Sequence, residues 1–206
     1  MSKIFKIFIF SLTFTYSYAY QLCVVGASSG LGKELVYQGI DRNIDILALT
    51  SSTQPFTKPC RINSFTEIKN QEPFYHPNIK KENYWNDLSR FNYDHLVLTT
   101  GSKPFENDYS DKLFQKILEN LSSQCKSISI VSAYGVGDSI INSNQGIKIM
   151  NAWYLKDTYR AKNKLEQLLN NYSAPIQKYV YRPKALSYGE TFVNSISRKK
   201  LAKDIL

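Results

Sequence analysis

The sequence predicts a single α/β domain, a doubly wound parallel sheet covered by helices on both faces as a three-layer sandwich. Three observations predict it. Short, continuously apolar runs, which suit strands buried on both faces, alternate with helical periodicities along most of the chain. The first run ends in a glycine-rich turn that opens a helix, Gly26-Ala-Ser-Ser-Gly30-Leu-Gly32. A length of 206 residues with 43% hydrophobic content suffices for one well-buried core but not for two.

Leu22-Cys-Val-Val25 is the first strand. Leu31, Leu35 and Val36 then share a helix face, with Gly39 as the stop. Ile44 to Leu49 is the second strand and closes a βαβ unit. Between Ser51 and Arg90, Pro55, Pro59, Pro73 and Pro77 exclude a long helix, and a short strand is expected near Arg61-Ile62. Regularity returns with a strand over Asp94 to Thr99, ending in Thr100-Gly101. A helix over Asp111 to Leu121 follows, with Leu113, Ile117, Leu118 and Leu121 inward. Ser127 to Ser132 is the next strand, and Ala133 to Asp138 is a loop by composition. The strongest helix runs from Trp153 to Asn170 with Leu165, Leu168 and Leu169 facing inward. A strand over Ile176 to Tyr181 and a helical pattern through Leu201, Ile205 and Leu206 close the series.

The formal charge is +9, from 26 basic and 17 acidic residues. A polyanionic partner must therefore be considered. The basic residues are scattered, however, and the one dense run, Arg198-Lys199-Lys200, is short. No helix-turn-helix, zinc-finger or aromatic RNA-reading pattern accompanies them, so no specific nucleic acid is expected. Cys23, Cys60 and Cys125 form no C-x-x-C or Cys/His ligand spacing, and His76 and His95 have no partner at metal-ligand spacing. Neither a metal site nor a disulfide scaffold is expected.

Residues 1–19 have the layout of a signal or targeting segment. Lys3 and Lys6 precede the apolar stretch Ile7 to Phe14, and Ser17-Tyr18-Ala19 resembles a cleavage site before Tyr20. The apolar run is too short and too rich in Ser, Thr and Tyr for a firm membrane span. The folded domain is then 20–206. Such a leader suits an organelle entered through it, such as a plastid of complex origin; a leader without function leaves the chain cytoplasmic.

The turn from Gly26 to Gly32 carries the chemistry. A pyrophosphate lies against backbone N–H groups at a helix N-terminus, where unsatisfied donors and the helix dipole favour negative charge. Gly26 allows the sharp exit from the strand, Gly30 the approach of backbone to phosphate, and Gly32 close packing of helix on sheet. The apolar strand before the turn and the amphipathic helix after it give the Rossmann-type context this motif requires. Gly26, Ala27, Ser28, Ser29, Gly30, Leu31 and Gly32 are accordingly candidate dinucleotide-binding residues.

Val25-Gly-Ala-Ser-Ser-Gly-Leu-Gly32 departs from G-x-G-x-x-G spacing and resembles the signature of the short-chain dehydrogenase/reductase superfamily. The resemblance continues through Thr99-Thr100-Gly101, Ser132, Lys162 to Glu166, Tyr181-Arg182-Pro183 and Ile196-Ser-Arg-Lys-Lys-Leu-Ala202. The last two resemble the atypical branch, with its NmrA-like proteins and small flavin and biliverdin reductases. It implies that Thr100, Gly101, Arg182 and Pro183 line the cofactor site. At the end of the second strand stand Thr50, Ser51 and Ser52, where an acid would select NAD. With these hydroxyls and Arg42 as candidate phosphate ligands, NADP is favoured over NAD.

Typical members use a Ser, a Tyr and a Lys four residues after the Tyr, which brings both to one helix face. Lys162 fits the lysine position and is a candidate ribose ligand, its alternative being a solvent-exposed helical lysine. Four residues before it stands Thr158, a far weaker acid than a phenol, while Tyr159 is rotated by about 100° around the helix. Ser132 and Tyr134 lie where substrate would meet the nicotinamide, and Tyr134 is the substitute acid. The resemblance thus implies an NADPH-dependent reductase of a small conjugated acceptor, a flavin, quinone or bilin. The alternative is a catalytically silent NADP-binding sensor or assembly factor acting on a protein partner.

Overall fold

The computed structural model describes residues 19–27, 30–49, 91–100, 110–143, 145–153, 155–184, 186–187 and 195–206. Outside them lie residues 1–18 of the leader, the strand expected at Arg61-Ile62, Ser28, Ser29, Thr50, Ser51, Ser52 and Gly101, together with Cys60 and His76.

Five strands form a parallel sheet in the order β2-β1-β3-β4-β5. They are β1 (Ala19–Val25), β2 (Ile46–Leu49), β3 (Asn92–Leu98), β4 (Ser127–Val131) and β5 (Gln177–Tyr181). Helix α1 (Gly30–Asp41) links β1 to β2, and α2 (Ser110–Glu119) lies between β3 and β4. Helices α3 (Gln145–Trp153) and α4 (Lys156–Asn171) lie between β4 and β5. Two-residue strands β6 (Leu186–Ser187) and β7 (Ile196–Ser197) pair in parallel ahead of α5 (Arg198–Ile205).

Successive strand residues point to opposite faces, so a strand covered on both sides is apolar throughout. In β1, Cys23 and Val25 join Leu96, Leu98, Ile128 and Ile130 beneath Phe114, Ile117, Leu165 and Leu169 of α2 and α4. Leu22 and Val24 join Val97 and Ala48 beneath Leu31, Leu35 and Val36 of α1 and Leu201 and Ala202 of α5. Each buried aliphatic side chain contributes roughly 1.5–3 kcal/mol. The three layers anticipated from periodicity are present.

Several boundaries and faces differ. Gly39 does not stop α1 but lies inside it, buried, where a Cβ would come within 2.4 Å of Ile46 Cδ1. The stop is two residues past the helix, at Asn43, whose φ of 59° is the left-handed turn that asparagine tolerates. In α2 the fully buried pair is Phe114 and Ile117, with Leu113, Leu118 and Leu121 packed around it. The helix expected from Trp153 begins at Lys156, as α4, and Trp153 is the last residue of α3. The loop expected over Ala133 to Asp138 runs into a 3-10 turn over Gly137–Ile140. No helix among the described residues is long and apolar enough to cross a membrane.

Candidate functional site

The strand order reverses around β1: the chain leaves it for β2 on one side and returns as β3 on the other. Ligands of open α/β sheets bind at such a switch point, outside the carboxyl ends of the strands. The sequence places Gly26-Ala27 after β1 and Thr99-Thr100 after β3 at that place.

Gly26 has a φ of 85°, a conformation that only glycine adopts without strain. Its N–H and that of Ala27 both donate to the Leu49 carbonyl, at 2.9 and 3.0 Å, so these two groups shape the turn. Thr99 locks it from the other side, its hydroxyl donating to the carbonyls of Val25 at 2.9 Å and Gly26 at 3.2 Å. A Cβ on Gly32 would lie 2.2 Å from the Gly26 carbonyl oxygen and 2.7 Å from Thr99 Oγ1. Only glycine lets α1 begin this close to the strand end. The side chains of Ala27 and Leu31 are buried in the core, leaving their backbone as the part that could face a ligand.

Lys162 is buried, 6% exposed, which removes the reading of it as a solvent-exposed lysine. Its ammonium crosses from α4 to the end of β3 and donates to the Thr100 carbonyl at 2.5 Å. Two buried hydroxyl oxygens at the strand ends, Thr100 Oγ1 and Ser132 Oγ, have no hydrogen-bond partner among the described residues. Buried polar groups are nearly always satisfied, so these two oxygens at carboxyl strand ends are groups that a polar ligand could bond. The ribose hydroxyls of a dinucleotide supply complementary groups, and the glycine cradle fits its phosphates.

Beside them runs an ion pair whose carboxylate is buried and whose guanidinium is partly exposed. Glu166, one turn after Lys162 and 3% exposed, accepts from Arg182 Nε at 3.0 Å and Nη2 at 2.7 Å. The carboxylate raises the Arg182 pKa further above its ordinary range, so the guanidinium stays charged. A Cβ on Gly137, whose φ is 53°, would lie 2.5 Å from Glu166 Oε2. The loop after β4 is thus threaded over this pair, and the Tyr134 N–H donates to the Pro183 carbonyl at 3.1 Å. Arg182 and Pro183 brace the loop that carries Ser132 and Tyr134.

Both tyrosines in reach have committed their hydroxyls. Tyr134 donates to the Asn142 carbonyl at 2.8 Å, and Lys184 stands 5.5 Å over its ring. Tyr159 donates to the Tyr134 carbonyl at 2.9 Å, and burial raises its pKa, making it a poorer acid. Arg42, by sequence a candidate ligand of the extra phosphate of NADP together with Thr50 to Ser52, follows α1 and precedes Ile46, at the amino end of β2, whereas Thr50 follows the carboxyl end.

Sequence reasoning missed three contributors: the pairing of Glu166 with Arg182, the lock formed by Thr99, and Arg198, which lies against Gly30. The i, i+4 spacing of Lys162 and Glu166 was the available signal for the first.

A separate cavity of about 580 Å³ opens toward the amino-terminal ends of the strands, lined by His95, Ser127, Ser129 and Tyr179 among others. His95 Nδ1 bonds Ser127 and Nε2 bonds Ser129, and burial lowers its pKa, so the ring is held neutral. Among the described residues no group of three or more His, Cys, Asp or Glu could hold a metal ion. Cys23 and Cys125 are free, buried thiols.

Neither a protein-family model nor a curated protein sequence matches the chain. Solved structures do. The anaerobilin reductase ChuY of Escherichia coli O157:H7 superimposes with a TM-score of 0.63 at 14% identity, over 90% of this chain and 88% of that one. A Streptococcus pneumoniae protein described as an NADH-flavin reductase gives 0.60 at 14% identity, over 91% of each chain. A short-chain dehydrogenase/reductase from Vibrio parahaemolyticus gives 0.55 at 12%, over 89% and 88%. The fold is that of these Rossmann-type proteins, in agreement with the superfamily resemblance of the sequence.

Proposed function

We propose that this chain binds NADPH at the switch point and reduces a small conjugated acceptor, of the flavin, quinone or bilin class. One observation carries the reading: buried Lys162, fixed on the Thr100 carbonyl beside the unpartnered hydroxyls of Thr100 and Ser132. A buried ammonium is costly unless it is hydrogen-bonded, and the ribose oxygens of a dinucleotide would add acceptors beside the Thr100 carbonyl. Fold neighbours described as an anaerobilin reductase and an NADH-flavin reductase support the reaction class.

The nicotinamide, when bound, supplies the hydride. The chain's own residues bind and orient: the glycine turn takes the pyrophosphate, while Lys162, Thr100 and Ser132 hold the nicotinamide ribose. Thr50 and Ser51, in place of an acid, leave NADP acceptable. A conjugated acceptor needs no phenol acid and takes its proton from water, consistent with Thr158 at the usual tyrosine position.

A second reading rests on the tyrosines. The Tyr134 and Tyr159 hydroxyls are both donated to backbone carbonyls, so neither of these two phenols is poised for proton transfer. That state suits an NADP-binding sensor or assembly factor that acts on a protein partner without turnover.

The test is to incubate the purified protein with NADPH and a panel of flavins, quinones and bilins while following nicotinamide absorbance. Consumption with one acceptor class supports the reductase. Binding without oxidation by any acceptor selects the sensor, and absence of NADPH binding overturns both. Gly30→Glu, which crowds the turn and adds a negative charge, should abolish binding; normal binding by this variant would refute the placement of the cofactor.

A further inference from the structure

The last helix reaches the glycine turn. A Cβ built on Gly30 would meet Arg198 Nε at 2.6 Å and Cδ at 2.9 Å, so the Arg198 side chain lies directly over the first residue of α1. This placement is anchored. Ser197 caps α5 by accepting from the Lys200 N–H at 3.1 Å, and Gln38 of α1 donates to the Lys199 carbonyl at 2.8 Å. Leu201 and Ala202 are buried against the α1 side of the sheet. The backbone of Arg198 is therefore fixed relative to α1, while its side chain spans the gap to Gly30.

Two positive sources face the same volume there. The amino end of α1 carries the positive pole of the helix dipole, and Arg198 adds a full charge. An anion placed at this point is attracted by both. The guanidinium fork matches two phosphate oxygens at once, which a lysine cannot do. The adenine ribose end of a dinucleotide belongs at the end of β2, away from Gly30, so the phosphates in reach are the bridging pair.

We propose that Arg198, supplied by the carboxyl-terminal helix, is a direct ligand of the cofactor's pyrophosphate. The proposal rests on the dinucleotide reading above, and its test separates the two. The full chain and its Arg198→Gln and Arg198→Lys variants are titrated with NADPH and NADH, following nicotinamide fluorescence at low and high salt. Glutamine keeps a side chain as far as the Cδ and Nε positions nearest Gly30 and removes the guanidinium fork with its charge. Thermal melting without ligand checks that α5 stays docked.

The expected result is a similar loss of affinity for both dinucleotides with Arg198→Gln, roughly ten- to hundredfold. A shallower salt dependence and partial recovery with lysine should accompany it. Unchanged affinity in a variant that melts normally overturns the role of Arg198 and leaves the dinucleotide reading intact. Loss for NADPH alone places the contact on the 2′-phosphate and likewise overturns it. If Arg198→Gln melts early, the lysine variant decides: full wild-type affinity with an unchanged salt slope overturns the proposal, and weakened binding to both dinucleotides sustains it. A wild-type chain that binds neither dinucleotide overturns the underlying reading, and this one with it.

Discussion

The ends of β1 and β4 solve the same problem, presenting polar groups to one crevice, by opposite means. After β1 the chain relies on missing side chains: Gly26 and Gly32 let backbone and helix approach, and Thr99 closes the turn. After β4 it relies on buried charge: Glu166 and Arg182 hold the loop, and Lys162 ties α4 to β3. The first is rigid because nothing else fits. The second is rigid only while each charge keeps its partner, and so is more readily altered without loss of the fold.

The largest expected effect falls on the glycine side. Gly32→Ala drives a methyl into a backbone carbonyl that cannot yield, and should cost about 3 kcal/mol in urea unfolding and eliminate NADPH binding. On the charged side, Glu166→Gln leaves Arg182 without its counter-ion. Because Arg182 is 29% exposed and retains water, the loss should be smaller, about 2 kcal/mol. If Glu166→Gln proved as damaging as Gly32→Ala, the distinction between the two ends would fail.

Lys162→Met sharpens the contrast further. Removing a buried cation should leave the melting temperature of the ligand-free protein unchanged or higher, while NADPH binding weakens about tenfold, ~1.4 kcal/mol. Parallel loss of stability and binding would instead make Lys162 a structural residue.

Far from both ends, His95 gives a smaller, pH-dependent effect. Its pKa is lowered in the fold by burial, so the unfolded chain binds its proton more readily. The stabilisation is therefore complete above about pH 6.5 and declines as pH falls toward the folded value. Denaturation between pH 7.5 and 5.5 should show this decline in wild type and a shallower one in His95→Gln. The smallest effect belongs to the exposed Lys126–Asp94 pair, where Lys126→Ala should change stability by less than about 0.5 kcal/mol.

The same contrast explains what the sequence made legible. The sheet, its layers and the turn from Gly26 to Gly32 were readable because apolar runs and glycine spacing are local signals. Gly39 misled because a buried glycine within a helix, making room for Ile46, has the same letter as one that ends it. Lys162 and Glu166 sit on a helix whose charges ordinarily face water, and their burial arises from strand ends far along the chain. Arg42 is close to Thr50 along the sequence, but it lies at the amino end of β2 and Thr50 follows the carboxyl end. Arg198 was visible as part of a closing pattern, but its contact with Gly30 spans almost the whole domain.

The docking of α5 on α1 also bears on how the protein comes to be folded. Gln38 and Lys199 are 161 residues apart, and the core beneath α1 includes Leu201 and Ala202. Contacts of such sequence separation form late, because the intervening chain must first be closed into a loop. During synthesis the β1–α1 unit is made early, yet the part of its apolar surface that Leu201 and Ala202 cover stays open until the last helix emerges. Shortening the chain by α5 would thus expose Leu31, Leu35 and Val36 and favour aggregation.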